Sequence, residues 1–179
     1  MKKLYEEEDI RGIAEAIREK NGTTTQYKVS EMKPAILAIP SGASEPYIEE
    51  TYDANGNLID VNLVGYTKIR PHAFHGCTSL ALARLPSGLT SIRYNAFYNC
   101  KSLALTSLPS GITSIGEKAF YACNGLTSIT FHGKPSSIAL DAFLSCPYLK
   151  TINVPWASGE VANAPWGATN ATINYNYTG

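Results

Sequence analysis

The sequence predicts a β-rich solenoid with a small helical region at its N-terminus. Three observations carry that expectation. Residues 69–160 repeat four times at a spacing of 23, with no insertion or deletion between units. Six apolar columns recur in every unit. They include Ile69, Ile92, Ile115 and Ile138, then Ala73, Ala96, Ala119 and Ala142, then Phe74, Phe97, Phe120 and Phe143. Residues 6–20 instead place Ile10, Ile13, Ala14 and Ile17 at helical spacing.

In chain order, residues 1–41 read as a helix-loop-helix. Glu6 to Asp9 suit a helix N-terminus, Asn21-Gly22 is a stop, and Ser30 can cap a second helix that ends before Pro40. Its narrow apolar face needs a partner, which makes it a candidate for attachment or oligomerisation. Residues 42–68 read as a hairpin that caps the first repeat. Tyr47 to Tyr52 and Leu58 to Val64 flank Asp53-Ala54-Asn55-Gly56-Asn57, an Asn-Gly turn. That loop superficially resembles a calcium loop but lacks its glycine spacing and closing glutamate.

Residues 69–160 are the four repeats. A unit this short cannot bury its own apolar side; stacked on a neighbour, it can. Backbone pairing sets a rise of about 4.8 Å per unit. Leu80 to Leu85 reads as a strand, Pro86-Ser87-Gly88 as a turn, and Leu89 to Ile92 as a second strand. The Ala-Phe-x-x-Cys segment reads as a tight corner or one helical turn. Either Leu82 and Leu105 or Ala83 and Thr106 face the core. Residues 161–179 read as a degenerate fifth coil followed by a terminal strand: Val161 lies 23 after Ile138 and Trp166 lies 23 after Phe143.

Composition narrows function. Fifteen basic and 15 acidic residues balance, which disfavours nucleic acid and anionic membranes. No apolar run is long enough to span a bilayer, and the first residues lack the apolar core of a secretory signal. Cys77, Cys100, Cys123 and Cys146 share the 23-residue spacing. They therefore read as ladder residues with the phenylalanines rather than as disulfides or metal ligands. His72, His75 and His132 are not patterned beside a nucleophile, so neither catalysis nor a cofactor is expected.

The unit Ile-x-x-x-Ala-Phe-x-x-Cys-x-x-Leu-x-x-x-x-Leu-Pro-Ser-Gly-Leu/Ile-Thr-Ser-Ile resembles the BspA-type leucine-rich repeat of bacterial surface proteins, over residues 69–160. The third and fourth copies depart from its Pro-Ser-Gly stretch, with His132-Gly133-Lys134 and Pro155-Trp156-Ala157. A narrower resemblance joins residues 10–23 and 164–175 to tail and fibre proteins of phages and prophages of Gram-positive bacteria.

The resemblance implies a non-enzymatic attachment protein located in a virion. It would join other virion proteins through its N-terminal helices, form a homo-oligomer (a trimer, as fibres generally are), and meet a host cell-surface glycan or protein through its repeats. An intracellular interaction module or inhibitor and a bacterial surface adhesin are the alternatives. The candidate ligand-binding residues are His75, Tyr98 and Tyr121, which follow the phenylalanine column and should point outward, with Tyr94 nearby. Aromatics in such a row either hold a ligand or cover the corner by packing on one another.

Overall fold

The computed structural model describes residues 47–179. The helices expected in residues 1–41 lie outside the described residues.

The described chain opens with an antiparallel hairpin, β1 (Tyr47–Tyr52) and β2 (Leu58–Val64). Its turn is held by one side chain. The Asp53 carboxylate accepts the Asn57 side-chain amide at 2.8 Å and the backbone N–H groups of Asn55 and Asn57 at 2.9 and 2.8 Å. Those bonds, led by the Asn57 side chain, hold the Asp53 carboxyl below its ordinary range. Gly56 takes the left-handed step that the turn requires, at φ +80°. Val61 and Leu63 on β2 turn inward to the core, and the Ile59 carbonyl accepts Ala81 N–H at 2.8 Å, so the first coil lies along the hairpin.

The three middle coils each contribute to two parallel sheets, while the first and last coils contribute to one each. One is built from β3 (Lys68–Ile69), β4 (Ser91–Ile92), β6 (Ser114–Ile115) and β8 (Ser137–Ile138), paired in that order with each residue opposite the one 23 further on. The isoleucines face in and are buried. The other is built from β5 (Ser107–Leu108), β7 (Ser128–Phe131), β9 (Thr151–Asn153) and β10 (Thr172–Asn174). The phenylalanine column is buried in the core. Phe74, Phe97, Phe120 and Phe143 stack at 5.2, 5.4 and 5.1 Å between centroids, near the expected rise. The alanines before them leave room for the backbones to approach: Phe74, Phe97 and Phe120 each donate N–H to the alanine carbonyl of the next coil at 2.8 Å.

The cysteines complete this ladder. Cys100, Cys123 and Cys146 donate their thiols to the carbonyls of Phe74, Phe97 and Phe120 at 2.9–3.0 Å. Each of those carbonyls also accepts the backbone N–H three residues on, so both lone pairs are used. All four cysteines are free thiols. Burial pushes Cys77 and Cys146 up to about 11, and Cys100 and Cys123 further still. A raised thiol stays protonated near neutral pH and is a weak nucleophile, least so at the partly exposed Cys77.

Three expectations are corrected. The corner is not a helical turn. It is a series of four-residue turns that include left-handed residues, at Asn95 (φ 54°) and Asn99 (φ 59°) in the second coil and at His72, Gly76, Lys118, Ala122 and Ser145 in the others. The segment from Leu80 to Leu85 is not a strand. Its two end leucines are five residues apart and both turn toward the core, which strict alternation forbids; the chain must break alternation once. Finally, the last coil repeats in its buried positions but not in its backbone register. Val161 and Trp166 are buried as expected. Yet Phe143 N–H reaches Trp166, a step of 23, where Phe120 to Ala142 is a step of 22. Thr172 pairs with Thr151, a step of 21 where Thr151 to Ser128 is 23. The Trp166 indole packs on Phe131 and Trp156 at the end of the core.

Candidate functional site

The inward ladder dictates what its neighbours do. A residue following each phenylalanine must point out, and does so once per coil. His75 therefore stacks on Tyr98 at 4.7 Å and 6°, and Tyr98 on Tyr121 at 4.6 Å and 11°. Leu144 follows in the same column and is partly exposed. A second, outer aromatic stack thus runs parallel to the buried one.

This arrangement decides what those rings can offer. All three are half-buried, and the faces of Tyr98 are covered by its two neighbours. A sugar ring that needs an open aromatic face cannot lie flat on Tyr98 without displacing part of the column. Of the two readings open for this row in the sequence, mutual packing describes the geometry.

Tyr94 differs. It lies outside that column, beside β4, and is 49 % exposed. Its ring makes an edge contact with His72 at 5.0 Å and 89°, and His72 in turn lies 5.5 Å from His75. The four aromatic residues singled out from sequence therefore form one region joined through His72, a residue outside the candidate set. Its position three residues before His75 was the available signal, since both fall on the same corner.

Beside Tyr94 the outer face of the β3-β4-β6-β8 sheet is a shallow groove of about 440 Å³. Ser91, Ser114 and Ser137 line it together with Arg93, Tyr94 and Glu117. Ser91 and Ser114 share a hydrogen bond at 3.0 Å. The period marks these serines as a column, but only the observed pairing shows that they face out together.

Leu82 and Leu105 face the core, at 2 % and 1 % exposure, so they form no surface patch. Among the described residues, no group of three His, Cys, Asp or Glu side chains is placed to hold a metal ion, and no helix is long and apolar enough to cross a membrane.

Comparison with known proteins agrees with this architecture. The model of the BspA type leucine rich repeat region matches residues 48–164 in six copies. The match covers 117 of the 179 residues and reaches beyond the four units evident from strict spacing, into the hairpin and the last coil. Two solved structures are similar. One is a leucine rich repeat protein of T. pallidum, at 20 % identity over 78 % of this chain and 82 % of that one, with a TM-score of 0.45. The other is a leucine-rich repeat protein of Bacteroides ovatus, at 24 % identity over 49 % of this chain and 28 % of that one, with a TM-score of 0.33. No curated protein matches the sequence.

Proposed function

This chain belongs to the BspA-type leucine-rich repeat family, and we propose that it is a non-enzymatic attachment module of a phage or prophage particle, a tail or fibre component. The repeats present a binding surface to the host cell. Residues 1–41 join the module to other virion proteins and to further copies of itself, as a trimer.

One observation carries the binding role: Tyr94 stands 49 % exposed at the edge of an otherwise mutually packed aromatic region, beside a polar groove. Rigid scaffolds with aromatic surface residues are how binding proteins hold ligands at low entropic cost. The virion role rests on the resemblance of residues 10–23 and 164–175 to phage tail proteins. The family's resemblance to bacterial surface proteins favours a surface adhesin as the second reading.

The two separate in one experiment. Light scattering of the full chain at high concentration should give a trimer, and deletion of residues 1–41 should return a monomer that keeps the repeat fold. A full-length monomer would count against the fibre and leave the adhesin standing.

A further inference from the structure

Tyr94 is the one member of the aromatic region whose ring stands half exposed at a groove. The groove beside it is lined by three serine hydroxyls and by one charged side chain of each sign. We infer that this groove binds a neutral glycan, with one sugar packed on Tyr94 and its neighbours running along the Ser91-Ser114-Ser137 ladder. The inference rests on the attachment reading and assigns its ligand class and position.

The ring chemistry comes first. The contact with His72 fixes the Tyr94 side chain, and its exposed surface can receive the C–H groups of a pyranose. Tyr98 cannot do this, because both of its faces are taken. Tyr94 is also held low against the following coil. A methyl group on Gly116 would lie 2.6 Å from Tyr94 N, so only glycine lets the two backbones approach this closely.

The lining selects hydroxyl-bearing ligands. A serine hydroxyl donates one hydrogen bond and accepts two, which matches the hydroxyls of a sugar. The serine rungs repeat at about 4.8 Å, comparable with the advance of an extended glycan per residue. Arg93 and Glu117 balance in sign, so the lining carries no net charge to draw in a sialylated or phosphorylated chain. A protein partner would need desolvated apolar pockets for its anchor residues. The apolar residues of this sheet, Ile92 and Ile115, are turned inward and buried.

The test uses the full chain with chitotetraose, cellotetraose and maltotetraose as probes, sialyllactose as the charged control, and envelopes from Gram-positive bacteria treated with either periodate or protease. At least one neutral tetrasaccharide should bind. Tyr94→Ala should weaken binding about tenfold, and Tyr94→Phe, which keeps the ring, should stay within about threefold. Ser114→Leu, which fills the groove, should also abolish it. Near-UV circular dichroism checks that each variant keeps its packed core. Envelope binding should be lost to periodate and survive protease.

Binding that ignores Tyr94→Ala and Ser114→Leu, or that protease and not periodate removes, overturns the inference in favour of a protein ligand elsewhere on the module. Absence of binding to every tetrasaccharide overturns it too. If a tetrasaccharide binds with the expected Tyr94 dependence and no envelope is bound, the groove assignment stands and the attachment reading falls.

Discussion

The first two repeats and the last two solve the same problem at different places. In every unit the segment after the corner must bring two apolar residues five positions apart to the core: Leu80 and Leu85, Leu103 and Leu108, Leu126 and Phe131, Leu149 and Val154. An odd separation cannot be met by strict alternation, so one step of two becomes a step of three. In the first two repeats the third inward residue is Leu82 or Leu105, and the irregular step follows it. In the last two it is Ile129 or Ile152, and the irregular step precedes it. The consequence is visible in the sheets. Where the break comes early, regular strand follows, as in the four residues of β7 and the three of β9. Where it comes late, only β5 remains, and the first repeat forms no strand at all in this segment. One side chain per coil therefore decides how much of that coil joins the sheet.

That comparison can be strained in several ways. The largest effect comes from the thiols, which the second, third and fourth coils bury and the first coil leaves partly exposed. Their native pKa values are raised above the ordinary 9.0, so the neutral form is favoured in the folded protein. Stability from this source is complete below pH 9 and falls as pH rises from there toward the native values, about 11 for Cys146. At pH 10.5 the loss should be about 2 kcal/mol for each of Cys77 and Cys146, and Cys100 and Cys123 should lose stability in the same direction. Urea unfolding across pH 8–10.5 measures it, and a flat profile would show that the thiols are not buried. Iodoacetamide at pH 8 should label Cys77 before the other three.

Ladder position comes next. Phe120→Ala should cost roughly 3–5 kcal/mol, because the ring is fully buried between two others. Phe74→Ala should cost less, since Phe74 stacks on one phenylalanine and is 8 % exposed. Equal losses in thermal unfolding would mean that the two ends of the stack are packed alike.

The smallest effect is the most specific. Leu105→Ser alone should cost about 3 kcal/mol through a buried cavity. Adding Thr106→Ile gives the second repeat the pattern of the third, Leu-x-Ser-Ile-x-x. If the position of the break is set by that side chain, the second change should recover about 1 kcal/mol or more, a coupling expected only of neighbours that act together. Losses that simply add would show that the backbone, and not the leucine, fixes the bend.

Much of this was legible in the sequence, for a physical reason. A stack with in-register pairing forces the same environment on every twenty-third residue, so phenylalanine, alanine, isoleucine and cysteine columns name their own positions. The hairpin was legible through Asp53 and Gly56, whose turn chemistry is local. What depends on packing between coils was not. Nothing in the local pattern of Leu80 to Leu85 says where alternation breaks. The last coil was read as in register because its buried residues are, while its backbone steps by 23 at the corner and 21 at the strand. In the outer column, His75, Tyr98 and Tyr121 were correctly expected to point outward. Whether they were open or closed to a ligand depended on ring-to-ring distance, which spacing along the chain does not encode. Tyr94 was noticed for its proximity alone. Its advantage over the others, an exposed ring beside a hydroxyl-lined groove, needed the sheet beneath it.

The shortened final step also bears on how such a chain can change in length over generations. Within the four regular coils, an in-frame duplication of one whole unit offers every ladder another identical rung, and no contact elsewhere has to move. Past Asn153 the backbone no longer advances by a full unit, so a copy inserted there would meet neither sheet in step. Among the described residues no strand continues β8, while β10 continues the other sheet. The array is therefore adjustable from within and fixed at that end. Lineages of this protein should vary by whole internal units while keeping the same last coil, which makes unit number a heritable setting for the length of every ladder.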